Sequence, residues 1–192
     1  MFKRQSPNFG ECTDEYLMQL VCQGKRQAFE QLYERYNTKL LYFAGGFIAD
    51  RSQCEDLVQE LFLKIIEKPQ LFDSNKKFSV WIFVLCANLC KQNLRNHKNR
   101  QRILNENIKP FAENSYKQQN QYDKQGLKNK INEVLLLLSE KERSLYLLRY
   151  EQEHSIAEIA EILELPEGSV KSGLFYLLKK FALHLKEYSY EH

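Results

Sequence analysis

Between Ser74 and Asn105 there is not one Asp or Glu, although the rest of this 192-residue chain holds 25 of them. A face that only has to stay soluble mixes both signs, so the gap argues for a region that meets a polyanion. Glycine and proline are also scarce, at seven and four. With Leu, Glu, Lys and Gln abundant, that scarcity excludes a sandwich or barrel and predicts an all-α protein. No run of eighteen apolar residues occurs and the first ten residues hold no signal-peptide core, so the expectation is no membrane insertion and a cytoplasmic location. The five cysteines, Cys12, Cys22, Cys54, Cys86 and Cys90, form no CxxC pair. Buried thiols in a reducing compartment are expected, with no metal and no cofactor. There is no phosphate-cradling glycine loop and no Ser/His/Asp arrangement, and His154 and His184 stand alone; neither an enzyme nor a catalytic residue is expected.

What the acid-free stretch does contain is seven Lys and Arg. Wound as a helix, it begins apolar almost all round, from Phe78 through Trp81 to Leu89, and then turns polar. Asn88, Lys91, Arg95, Lys98 and Arg102 recur at intervals of three or four and therefore share one face. Cations neutralise phosphates, amides read base edges and aromatics stack on unpaired bases, so the pattern suits a nucleic acid. A solvated helix face would explain a charge run alone. The formal net charge of +3 identifies no partner, but its distribution does: residues 11–60 carry nine acids against five bases and residues 129–192 eleven against eight.

In chain order, residues 1–10 read as a lead-in, Thr13 caps a first helix that Gly24 ends, and a second helix carries Ala28, Phe29, Leu32, Tyr33, Tyr36, Leu40 and Leu41. Ser52 and Glu55 read as a capping box opening a helix that runs to about Lys68. Its core stripe is Leu57, Val58, Leu61, Phe62, Ile65 and Ile66. The opposite face holds Asp56, Gln59, Glu60, Leu63 and Glu67, with a leucine amid acids: either a stray exposed residue or the centre of a protein interface. Residues 69–77 form a loop before the basic helix. From about 99 to 125 the composition is that of a linker, whose roughly 26 residues reach on the order of 80 Å when extended. Beyond it, Ser139 with Glu142 and Ser155 with Glu158 make two more capping boxes. A turn at Glu164 and Leu165 leads to a last helix with Val170, Leu174, Leu177 and Leu178 inward. Ser169, Lys171, Ser172, Phe175, Tyr176 and Lys179 lie largely outside. This is a helix-turn-helix pattern, shared by hairpins that bind no DNA.

Segment Asp50–Ile66 (DRSQCEDLVQELFLKII), followed by Phe78-Ser-Val-Trp81 and the basic helix, resembles region 2 of bacterial sigma-70 family factors. Ser155–Leu163 (SIAEIAEIL) followed by Pro166–Ser172 (PEGSVKS) resembles region 4. With only these two regions, the chain is similar to the extracytoplasmic-function (ECF) subgroup. The resemblance implies two small helical domains joined by a flexible linker: a region 2-like bundle at 11–100, the linker at 101–126, and a region 4-like domain at 127–188. It implies a transcription initiation factor that binds core RNA polymerase, directs it to promoter DNA and promotes −10 melting, with an anti-sigma factor as a further partner. Asp56, Gln59, Glu60 and Leu63 match the polymerase-binding helix. Lys76, Lys77, Phe78, Trp81, Asn88, Lys91, Arg95 and Lys98 fall on the −10 surface. Ser169, Lys171, Ser172, Phe175, Tyr176 and Lys179 fall on the helix that reads the −35 element. The chain departs from the family in two places: Gly173, Tyr176 and Leu178 stand in a stretch usually rich in arginine, and Cys54 where a small alanine is common. The first implies fewer phosphate contacts and weaker duplex binding. The alternatives are a helix-turn-helix regulator acting without polymerase, and an interaction protein that reads no DNA.

Overall fold

The computed structural model describes residues 9–48, 50–104, 131, 134, 135 and 137–189, and for 97–104, 140 and 185–189 the backbone alone. Among the described residues all regular structure is helical, and the chain divides after residue 106 into two compact units. The linker expected at 101–126 falls outside the described residues from 105 onward; 101–104 are the last turn of a helix.

In the first unit, α1 (Asp14–Cys22) starts where the Thr13 hydroxyl accepts the Tyr16 amide at 3.3 Å. It stops before Gly24, whose φ of +76° is the left-handed conformation that glycine adopts without a Cβ clash. Helix α2 (Arg26–Ala44) buries Ala28, Leu32, Tyr36, Leu40 and Phe43 and gives way at Gly45. Helix α3 (Arg51–Glu67) is opened by Asp50 rather than by the expected Ser52–Glu55 box. The Asp50 carboxylate accepts the amides of Ser52 and Gln53 at 2.8 and 3.3 Å, and Glu55 pairs with Arg51 at 2.8 Å instead. A 3-10 turn at Pro69–Leu71 leads into α4 (Phe78–Leu104), whose buried Phe78, Ile82, Phe83, Cys86 and Cys90 face α1, α2 and α3. Arg35 straps the start of the chain to α2: its guanidinium donates to Asp14 at 2.6 Å and to the carbonyls of Phe9, Gly10 and Cys12.

The second unit is built on the two capping boxes the sequence predicts, Ser139 with Glu142 and Ser155 with Glu158. Helix α5 (Glu140–Tyr146) continues as one π turn over Leu147–Glu151. Next come α6 (Ile156–Leu163), a turn in which Glu164 takes a φ of +56°, and α7 (Glu167–Ser189). Ahead of the Ser139 cap, Val134, Leu135 and Leu137 are helical. The core gathers Val134, Leu135, Leu145, Leu148, Ile159, Ile162, Val170, Leu174 and Leu177. Leu178, expected among them, is 53% exposed, because it sits at the edge of the stripe that Val170, Leu174 and Leu177 define. At Gly173 a Cβ would lie 2.6 Å from Leu145 Cδ1, so glycine lets α5 and α7 approach closely.

Candidate nucleic-acid and protein interfaces

Two helices of the first unit carry contrasting outer faces. On α3, Asp56, Gln59, Glu60 and Leu63 are all exposed, Leu63 by 56%. Ile66, expected in the core, is half in solvent: it lies one turn beyond Leu63 and just outside the stripe running through Val58, Leu61 and Ile65. The apolar centre of the acidic face is therefore a Leu63–Ile66 pair. Glu60 is held by Lys64 at 2.7 Å, an exposed pair that contributes little to stability.

Along α4, Asn88 and Arg95 are exposed, and among the described residues Arg95 makes no ion pair. Lys91 is half-buried and has a partner within the chain. The Lys98 side chain lies outside the described residues. Lys76 and Lys77 are exposed in the loop, where the Lys76 amide donates to the Asp73 carbonyl at 2.9 Å. The seam between α3 and α4 opens into two grooves. One, of about 220 Å³, is lined by Leu61, Ile65, Leu71, Trp81, Leu85 and Leu89, with Lys64 and Asn88 alongside. The other, of about 370 Å³, is polar, lined by Gln53, Asp56, Glu60, Gln92, Asn93 and Asn96.

Trp81 is half-buried and forms part of the first groove; Phe78, expected beside it to meet DNA, is fully buried. Its ring lies edge-on to Tyr36 and Phe72, with centroids at 5.3 and 5.5 Å, and its amide donates to the Glu15 carboxylate at 2.9 Å. Phe78 is an anchor, because a side chain at the first position of α4 points into the bundle while Trp81, three residues on, reaches its edge. Burial, followed by the Asp14 hydrogen bond, raises the pKa of the neighbouring Tyr36, so its phenol stays neutral.

In the second unit the outer face of α7 presents Phe175, Tyr176 and Lys179, with Ser169 half-buried. Phe175 and Tyr176 are 64% and 61% exposed and meet edge to face at 5.6 Å. Lys171 reaches back to Glu167 at 3.5 Å, and the Ser172 hydroxyl donates to the Gly168 carbonyl at 2.9 Å. Lys180 is committed inward, bonding Glu142 at 2.6 Å; burial opposes ionisation of that carboxyl, but Lys180 and Ser139 prevail and lower its pKa. The outer face thus combines two exposed aromatics with the exposed cations Lys171 and Lys179.

The family model for Sigma-70 region 2 matches residues 32–100, and that for Sigma-70 region 4 matches residues 128–180. The chain belongs to the sigma-70 family. Within it the similarity is to ECF factors. ECF RNA polymerase sigma factor SigW of Bacillus subtilis is 28% identical over 162 residues, which cover 80% of this chain and 87% of SigW. The ECF RNA polymerase sigma-E factor of Haemophilus influenzae is 26% identical over 173 residues, covering 86% and 91%. In fold, the chain is similar to the sigma factor RpoE from Bartonella quintana, solved with the anti-sigma factor NepR. That likeness has a TM-score of 0.65 at 23% identity, over 82% of this chain and 96% of the other. It is also similar to CnrH, solved with the cytosolic domain of CnrY, at a TM-score of 0.59 and 20% identity, over 91% and 97%.

This ECF sigma factor is a promoter-directing transcription initiation factor. Its region 2 match takes in α3 and most of α2 and α4, whereas α1, with Glu15, precedes it. Cys54, Cys86 and Cys90 pack in the region 2 core, where the hydrogen bond to Cys90, and then burial, push the Cys86 thiol up. Among the described residues no cluster of His, Cys, Asp or Glu has metal-site geometry, and no helix is long and apolar enough to cross a membrane. Reasoning from spacing missed Glu15, which belongs to no local pattern because it acts across 63 residues of chain.

Proposed function

We propose that region 2 uses two outward surfaces for two macromolecules. The α3 face of Asp56, Gln59, Glu60 and Leu63, extended by Ile66, docks on core RNA polymerase, with an apolar centre and a charged rim. The loop lysines Lys76 and Lys77, the groove beside Trp81, and Asn88, Lys91, Arg95 and Lys98 on α4 hold the displaced strand of the −10 element. Helix α7 meets the −35 duplex through Ser169, Lys171, Ser172, Phe175, Tyr176 and Lys179. A domain of region 2 and a domain of region 4, at 11–100 and 127–188, divide this work across the linker at 101–126. The protein makes and breaks no bond and works in the cytoplasm. Binding energy from polymerase and duplex contacts offsets the few kcal/mol that exposing each base costs.

The observation that carries this reading is that adjacent helices expose Leu63 among acids on one side and Arg95 on an acid-free helix on the other. An anti-sigma factor that covers these faces is the expected regulator, as the complex of the similar RpoE with NepR supports. Run-off transcription by core polymerase across a promoter library tests the reading: transcripts from a subset of promoters, dependent on this chain, are expected. No transcript from any promoter would overturn it.

One observation favours a second reading for region 4. With Lys171 turned to Glu167 and Lys180 to Glu142, α7 offers Lys179 and two aromatics where several phosphate contacts are wanted. If the domain acts as an interaction module, scrambling the −35 sequence leaves run-off unchanged.

A further inference from the structure

Helix α4 begins with a local conflict. Its first turn contains no acid, and the two residues before Phe78 are Lys76 and Lys77, cations at the positive end of the helix dipole. A sequence choosing only for helix stability would place Asp or Glu there. The missing anion comes from another helix: Glu15, in the first turn of α1, accepts the Phe78 amide at 2.9 Å in a part-buried site. The Phe78 ring is held by Tyr36 and Phe72, and Phe72 in turn lies against Trp81 with centroids 5.2 Å apart. One carboxylate therefore anchors the point from which the lysine loop runs back and the Trp81 groove runs forward.

We propose that Glu15 is a positioning residue for capture of the melted strand: by capping α4 from α1, it lets the loop keep Lys76 and Lys77 at the helix start and holds them in register with Trp81. The arrangement separates two demands that one local residue could not meet. An Asp or Glu at position 76 or 77 would cap the helix but repel the phosphates the loop faces. Placed on α1 and half-buried, Glu15 supplies the charge from inside. This inference rests on the −10 assignment made above and extends it to a helix that precedes the region 2 match.

The test uses full-length protein assembled with core polymerase, in three forms: wild type, Glu15→Ala and Glu15→Gln. The probe is the single-stranded non-template −10 segment, labelled with 2-aminopurine, of a promoter recovered by run-off selection. Losing one charge-assisted hydrogen bond lowers strand affinity in Glu15→Ala by about tenfold. In Glu15→Gln, which keeps an acceptor without the charge, the loss is about threefold. Core polymerase affinity stays within about twofold in both, since α3 is untouched. Full strand capture by both variants would overturn the proposal. So would equal losses of strand and core affinity, as a merely structural role would give. Should Glu15→Ala fail to fold, the strand-to-core difference in Glu15→Gln decides alone. If the wild type itself captures no strand, the −10 assignment fails rather than the role of Glu15.

Discussion

Two glycines on α7 make opposite predictions from the same substitution. Gly168 has nothing within 4 Å of the position its Cβ would occupy, whereas at Gly173 that Cβ would lie 2.6 Å from Leu145 Cδ1. Alanine for glycine in a helix gains about 0.5–1 kcal/mol through reduced freedom of the unfolded chain. Gly168→Ala should realise most of that gain. Gly173→Ala must also push a leucine methyl back by roughly 1 Å to reach ordinary contact. Leu145 is fully buried, with no solvent to move into. Overpacking of this kind costs about 1–3 kcal/mol, so the net effect is a loss of up to about 2 kcal/mol. In a domain of this size that is a fall in melting temperature of up to about 15 °C, against a rise of a few degrees for Gly168→Ala. Calorimetric melting of the full-length protein, following the transition of the second unit, reads both shifts. If Gly173→Ala stabilises as much as Gly168→Ala, Leu145 does not press on α7 and the close approach is wrong. The geometry also changes the meaning of a missing arginine: position 173 faces α5, so only Tyr176 and Leu178 stand where outward cations are absent.

Phe78→Ala should cost about 3–5 kcal/mol of stability in the first unit, measured by urea unfolding, because it empties a fully buried ring site. Trp81→Ala should instead weaken strand capture by about 1–3 kcal/mol with core affinity unchanged, and the reverse pattern would return Phe78 to the DNA surface. Glu142 predicts a pH effect. Its pKa is lowered in the folded state, so its stabilising contribution is complete above the unfolded value of about 4.3 and is lost as pH falls through the lower folded value. Melting curves between pH 7 and 3 should therefore show the second unit losing stability more steeply with acid in wild type than in Glu142→Gln; identical slopes would mean that Lys180 and Ser139 do not hold the carboxylate.

Local signals in the sequence translated well where the deciding contact was local. Thr13, Gly24 and the boxes at Ser139 and Ser155 all act within three or four residues, and each appears as expected. At α3 the same logic chose the wrong cap, because Asp50, two residues before Ser52, is the stronger acceptor and takes the amides first. Residues at the edge of an apolar stripe were harder: Ile66 and Leu178 share helical periodicity with the core yet lie outside it, since the width of a buried stripe depends on the neighbouring helices. Phe78 was misread for a related reason. An aromatic beside lysines looks like a base stacker, and only packing against Tyr36 and Phe72 distinguishes an anchor from a contact surface. The Glu15 bond to Phe78 left no trace in spacing, because it joins residues 63 apart.

The most direct test of two faces serving two macromolecules is to measure core polymerase affinity and promoter opening side by side in Leu63→Glu and in the double variant Lys76→Ala, Arg95→Ala. All three positions are exposed, so folding is not at stake. Leu63→Glu should weaken core binding by about thirtyfold, as removal of an interface centre does. The double variant should keep core affinity within about twofold while losing opening by about tenfold, with a shallower salt dependence because up to two phosphate contacts are gone. If each variant impairs both measurements to the same degree, the two surfaces are not separate and the account is contradicted.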